Sequence, residues 1–233
     1  MVCVVGGSVK KKPVLPPYTR RPIAAGLVAM YKQGRWAFAV ERQHRRSEEK
    51  IRRILAKQDE VSVELGGAKR PGGDGWIRLD LVWQCDVYWN LARGLPFPAD
   101  RGKQIYSSHF FEHLTFKQGQ AMLRECLRVL VPGGRLSVCV PNARPYLEAY
   151  CSGKGMDKQT FIAFEPAWNE TTLIDYVNYT AYMDNDHRYM FDEENLVKVL
   201  ELAGFRNARL RKFDPELDME SRDYESIYAE AEK

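Results

Sequence analysis

Histidine and cysteine are scarce in this chain, and their placement excludes several chemistries. The five cysteines (Cys3, Cys85, Cys126, Cys139, Cys151) are scattered and odd in number. None forms a C-x-x-C pair, so neither a disulfide framework nor a cysteine zinc site is expected, and a reduced cytoplasmic setting follows. Only four histidines (His44, His109, His113, His187) are available for proton chemistry. The longest apolar stretch, Ile23 to Tyr31, is far below the roughly 20 residues that cross a bilayer, so no membrane span is expected. Its Arg20-Arg21 flank and the prolines before it do not have the layout of a signal peptide. The sequence contains no internal repeat, no G-x-G-x-x-G fingerprint and no Asn-Pro-Pro-Tyr block.

A length of 233 residues and 45% hydrophobic content suit one sizeable α/β domain with embellishment. Charge is uneven. Residues 1–60 hold 14 Lys and Arg against 5 Asp and Glu, whereas the remainder holds 21 against 26. A basic arm beside an acidic body suits either an anionic partner or a solvated helix face. It keeps nucleic acid as an outside option, although the arm lacks the aromatic interleaving of single-strand binders.

The most telling stretch is Val61 to Asp80. Val61, Val63 and Leu65 alternate with Ser62 and Glu64, and Ile77 and Leu79 repeat the pattern, which reads as two short strands. Between them crowd Gly66, Gly67, Gly72, Gly73 and Gly75, where glycine lets the backbone approach a ligand closely. Asp80, closing the second strand, is placed to bind a ribose diol. That is nucleoside-cofactor chemistry, without a spacing that names the cofactor.

Around this stretch the chain divides into a basic, partly helical extension over 1–58 and a body over 59–233. The charged 41–57 stretch, with Ile51, Ile54 and Leu55 at helical spacing, predicts a helix, with His44 on its surface. Cys85–Leu91 predicts a third strand and Gln104–Ser108 a fourth. Lys117–Leu130 is the clearest amphipathic helix, ended by Pro132-Gly133-Gly134 before a central strand over Arg135–Val140. The aromatic 142–190 segment predicts a partly helical lid over a substrate site. Asp192 caps a helix stopped by Gly204, and 205–213 and 224–231 predict two antiparallel strands. The links between the first three strands are too short for the usual crossover helix, so the helix ending near Lys57 is expected to cover the exposed sheet face.

Assembled in order, these blocks resemble the class I S-adenosylmethionine-dependent methyltransferases of the type 11 methyltransferase-domain group. The resemblance rests on Glu64-Leu-Gly-Gly67, Gly75-Trp-Ile-Arg-Leu-Asp80, Leu95-Pro-Phe-Pro-Ala-Asp100, Ile105 through Leu114, Leu123 through Gly134 and Glu201-Leu-Ala-Gly-Phe205. It implies a Rossmann-like seven-stranded, mostly parallel sheet in the order 3-2-1-4-5-7-6, with helices on both faces and the last strand antiparallel. S-adenosylmethionine would lie across the carboxyl ends of the first strands. By the match, Gly66, Gly67 and Ala68 would line the methionine and ribose with Glu64 beneath them, and Asp80 would hold the ribose hydroxyls. Leu81, Ser108 and His109 would complete the wall. Asn90 stands where relatives usually have Asp next to the adenine, and Leu91 would pack on the ring. Gly67-Ala68 departs from the small-residue-then-glycine pattern of relatives.

Methyl transfer needs a base only for a poorly ionised acceptor. His109, after the fourth strand, is the candidate for the wall beside the methyl group, and His187, in the lid, is the candidate base. No metal is expected for this reaction. The aromatic, mixed-charge lid suits a small polar molecule or a sugar moiety, and the resemblance, whose members often modify glycans or metabolites, implies O-methylation of a sugar, glycan or metabolite hydroxyl. A fold without turnover, serving as a partner subunit, is a second reading, suggested by Gly67-Ala68 and Asn90. A third comes from His109-Phe-Phe-Glu112-His113, which matches the H-x-x-E-H zinc-hydrolase pattern but directly follows a strand.

Overall fold

The computed structural model describes residues 23–67, 75–82, 84–162 and 164–233, with side chains from residue 39 onward except Gln159. Ala68 and Lys10 to Lys12 therefore lie outside the described residues. The chain separates into two compact units, residues 1–42 and 43–233. Helix α1 (Ile23–Leu55) is the only element described in the first unit, and it continues into the second.

In the second unit, β1 (Val61–Leu65), β2 (Trp76–Asp80), β3 (Val87–Tyr88), β4 (Gly102–Ser108), β5 (Leu130–Pro141), β6 (Arg206–Leu210) and β7 (Ser226–Glu232) form one sheet. Its order is 3-2-1-4-5-7-6, as the resemblance implies. Strands β3 to β5 pair in parallel, and β7 runs antiparallel between β5 and β6. Parallel strands covered on both faces read as near-continuous apolar runs, and here Val61, Val63, Leu65, Ile105, Leu136 and Val140 are all at most 2% exposed.

The short early crossovers leave room that α1 fills with its last turns. Ile51 enters the same apolar cluster as Val61, Ile77 and Val87, with Ile54 and Leu55 packed against it. Ser47 Oγ donates to the Tyr88 carbonyl at 2.9 Å and Lys50 Nζ to that of Asp86 at 2.5 Å. His44 is not the surface residue its charged surroundings predict. It is 3% exposed, edge-on to the Tyr88 and Trp89 rings. The run of basic neighbours faces away from it, so local composition hides a buried stripe.

Two boundaries also move. The third strand shrinks to Val87–Tyr88, because the chain turns at Asn90 into a 3-10 turn over Leu91–Arg93. Helix α2 (Phe116–Val129) passes directly into β5 at Leu130, so Pro132-Gly133-Gly134 lies inside a strand and not at the helix end. Leu130 pairs with Gly102, and the register then slips to Arg135 opposite Gln104. The bulge absorbs the proline, which cannot donate to a ladder. A capping box between Thr115 and Gln118 starts α2.

After β5 come α3 (Arg144–Ser152), α4 (Lys158–Phe161) and α5 (Ile174–Tyr182). They enclose a small aromatic core of their own, built on Tyr146, Tyr176, Tyr179 and Trp168. Tyr182 stays outside it, well exposed. Helix α6 (Glu193–Leu202) is capped by Asp192, whose carboxylate accepts from Asn195 N.

Candidate active site

The carboxyl ends of β1, β2 and β4 open onto one cleft of about 820 Å³, within the range that takes a nucleoside-sized ligand. Each predicted cofactor residue that is described lines it: Glu64, Gly66, Gly67, Asp80, Leu81, Asn90, Leu91, Ser108 and His109.

The floor comes from β1. Gly66 turns in the left-handed region (φ +73) and donates its N–H to the Leu79 carbonyl at 2.9 Å. Beside it Gly67 is held against Glu64, a carboxylate only 4% exposed. A Cβ on Gly67 would lie 2.5 Å from Glu64 Cδ. The glycine thus leaves space already taken by the acid, and the bare backbone of both glycines faces the cleft.

Asp80 ends β2 with one carboxylate oxygen on Leu81 N at 2.5 Å, while its carbonyl takes Trp89 N at 2.8 Å. The latter bond brings the 89–94 turn alongside. There Asn90 Oδ1 accepts from Ala92 N at 3.0 Å, and Trp89 Nε1 donates to the Gly94 carbonyl at 2.8 Å. The Asn90 oxygen is thus turned inward by the cap it makes, which a sequence-level comparison with aspartate does not show.

His109 stands at the other end of the cleft, in the left-handed region (φ +49). Its N–H donates to the Cys139 carbonyl at 2.9 Å. Ser226 Oγ gives its own proton to the Arg222 carbonyl at 2.6 Å, so it accepts from His109 Nε2 at 2.9 Å. That leaves the lone pair on Nδ1, 3.6 Å from Glu112 Oε1. Burial, helped by the Arg222 cation, pulls the imidazole down to about 3 and keeps it neutral.

Glu112 is 2% exposed, and burial pushes its carboxyl up to about 8. Its main-chain carbonyl accepts from Arg188 N at 2.7 Å and Tyr189 N at 3.2 Å, which ties the segment before α6 to the turn after β4. That segment carries His187. The ring is buried, donates from Nδ1 to the Thr180 carbonyl at 3.0 Å and meets the His113 ring edge-on at 5.3 Å. Burial also lowers its pKa. His187 therefore lies behind His113, which lines the cleft where His187 does not.

Sequence reasoning missed His113 as a wall residue, and also Phe110, Met122, Glu125, Met219 and Arg222. Met122 reads as an ordinary core position of α2. Met219 and Arg222 come from an aperiodic stretch before β7 and carry no local signal.

Residues 78–138, from within β2 to the middle of β5, match a family model described as a methyltransferase domain. No curated protein matches the chain. Among solved structures, an S-adenosylmethionine-dependent methyltransferase from Archaeoglobus fulgidus is 16% identical, over 85% of this chain and 100% of its own, with a TM-score of 0.48. One from Mesorhizobium loti is 16% identical over 80% and 98%, with a TM-score of 0.45. Phosphoethanolamine N-methyltransferase 2 from Haemonchus contortus, in complex with S-adenosylmethionine, is 10% identical over 76% and 49%, at 0.48. The chain thus carries a methyltransferase-domain match over residues 78–138, set in a sheet whose order, 3-2-1-4-5-7-6, is the one implied by the resemblance to class I S-adenosylmethionine-dependent methyltransferases.

Proposed function

We propose that S-adenosylmethionine stretches across the strand ends and that its methyl group passes to a hydroxyl of a small polar acceptor, a sugar, glycan or metabolite. The observation that carries the cofactor placement is the convergence of residues from three strand ends, far apart in sequence, on one cleft. In this reading the Asp80 carboxylate accepts from the ribose hydroxyls. The backbone at Gly66 and Gly67 lies along the methionine with Glu64 beneath. Leu81 and Leu91 flank the adenine beside Asn90, and Ser108 and His109 close the methyl end. Ala68, next in the sequence after Gly67, is assigned to the methionine and ribose with the two glycines.

When bound, the sulfonium supplies an activated methyl group. In that transfer the carbon–sulfur bond would break as the carbon–oxygen bond forms, with the electron pair left on sulfur and the hydroxyl proton released to water. Most of the protein's contribution is positioning in line with the breaking bond. We assign His109 to the wall that orients the acceptor, and His187 to holding His113 from behind, not to touching the acceptor. The guanidinium of Arg222 on the same wall suits an acceptor that also carries an anionic group.

Isothermal titration with S-adenosylmethionine tests the cofactor placement. Asp80→Ala is expected to weaken binding by about 1.5–3 kcal/mol, the scale of hydrogen bonds to a charged group. Unchanged affinity would place the ribose elsewhere. For the acceptor, formation of S-adenosylhomocysteine is followed with matched hydroxyl and amine compounds. Turnover confined to the amines would overturn O-methylation.

A further inference from the structure

The turn after β4 and the segment before α6 bring together three groups to which the methyl-transfer reading gives no part in the chemical step. Glu112, His113 and His187 each present one ligand atom, and these atoms all lie within 4.8 Å of one another. Neither carboxylate oxygen of Glu112 has a hydrogen-bond partner among the described residues, although the side chain is buried. A buried polar group left without a partner is costly, and a cation set among the three groups would supply one.

The two imidazoles are already oriented for one. His113 Nδ1 lies 2.9 Å from the Asp186 carbonyl, and His187 Nδ1 lies 3.0 Å from that of Thr180. A carbonyl can only accept, so both rings carry their proton on Nδ1 and leave the Nε2 lone pair free. Metal-bound histidines are held in this way by their outer neighbours. His113 Nε2 stands 3.7 Å from Glu112 Oε1. A tetrahedral site with bonds of about 2.0–2.1 Å separates its ligand atoms by roughly 3.3 Å, so atoms now within 4.8 Å of one another would draw in by side-chain rotation. The backbone is braced as well, because the Glu112 carbonyl holds the N–H groups of Arg188 and Tyr189, next to His187.

We propose that Glu112, His113 and His187 form a binding site for a borderline divalent transition-metal ion of the Zn²⁺ class, with its open position turned toward the cleft that His113 lines. Two imidazole nitrogens and one carboxylate suit such an ion better than Mg²⁺ or Ca²⁺, which favour oxygen. The trio is not the one in the H-x-x-E-H pattern. His109 spends its Nε2 on Ser226, and the third ligand comes instead from the far side of the lid segment. Glu112 is then a ligand and not the base of a hydrolase. The ion would clamp the segment before α6 to the turn after β4, at the acceptor end of the cleft. Its presence does not depend on which acceptor the enzyme uses.

The test uses untagged full-length protein stripped with a chelator and titrated with Co²⁺, followed by visible absorption and by metal analysis after dialysis. One ion per chain with the intense bands of four-coordinate Co²⁺, displaced by Zn²⁺, is expected, and Zn²⁺ should raise the Tm. Glu112→Gln and His187→Ala should each weaken Zn²⁺ at least tenfold while still binding S-adenosylmethionine in calorimetry, which shows that they fold. If either variant fails to fold, the wild type decides alone. Stripped wild-type protein that takes up no Co²⁺ overturns the site. So do variants that bind Zn²⁺ as tightly as wild type, since the ion would then sit elsewhere.

Discussion

Gly67 offers a sharp perturbation because its cost has one source. It is not among the residues with positive φ, so alanine is conformationally allowed there. What forbids a side chain is Glu64. An added Cβ would lie 2.5 Å from Cδ, 2.7 Å from Cγ and 2.9 Å from Oε1, where ordinary contact begins at 3.4 Å. Glu64 is 4% exposed, so to retreat it must leave that buried position for the cleft it lines. Overpacking of this kind costs about 1–3 kcal/mol. At about 2–4 °C per kcal/mol for a chain of this size, the Tm falls by several degrees. The prediction is strongest as a double-mutant cycle in urea, read by far-UV circular dichroism. Glu64→Ala removes Cγ and Cδ, so Gly67→Ala should then be nearly free, giving a coupling of about 1 kcal/mol or more. Gly66→Ala is the contrast. At φ +73 it is strained whatever stands nearby, so removing Glu64 should not rescue it. Equal cost of Gly67→Ala in both backgrounds would refute the steric account of this loop.

Two further perturbations probe the scaffold. Ile51→Ala, at a site 2% exposed within the main core cluster, should cost about 2–5 kcal/mol in denaturant unfolding; a loss below 1 kcal/mol would mean that the end of α1 does not share the cooperative core. The Asp218 side chain is fully buried and accepts from Tyr106 Oη at 2.9 Å, Arg211 at 2.6 and 2.8 Å, and Asp214 N at 2.8 Å. Asp218→Ala strands the Arg211 cation and should cost about 3–5 kcal/mol, and Arg211→Met in the same chain should recover part of it. A double variant less stable than the single one would show that the charge is not the source of the loss.

The parts of this molecule that could be read in the sequence are those whose physics is local. The alternation of Val61, Val63 and Leu65, the Gly66-Gly67 pair after them and the acid closing β2 are set by neighbours within a few residues, and the structure assembles them as expected. The Asp192 cap and the Gly204 stop are equally local. The misread points depend on distant partners. His44 looks solvated beside Arg42, Arg45 and Arg46, and only the Tyr88 and Trp89 rings reveal it as buried. Pro132-Gly133-Gly134 is a helix stop by every local rule, yet the pairing of Leu130 with Gly102 starts a strand before it.

The same division runs through the cleft. One end is made of strand termini, where the fold itself delivers backbone and one carboxylate. Its other end is made by convergence. His109 depends on Ser226, His113 on Asp186, and Glu112 on Arg188 and Tyr189, all across long gaps in sequence. Such contacts leave no periodic trace, because neither partner needs a neighbour of any particular kind. They can also change without disturbing the sheet, since the segments that supply them, before α6 and before β7, lie outside the parallel core. In the proposed reading, cofactor binding can therefore be held constant while the opposite end of the cleft is rebuilt, and the acceptor is to be sought in the 183–190 and 219–226 segments and not in the glycine turn.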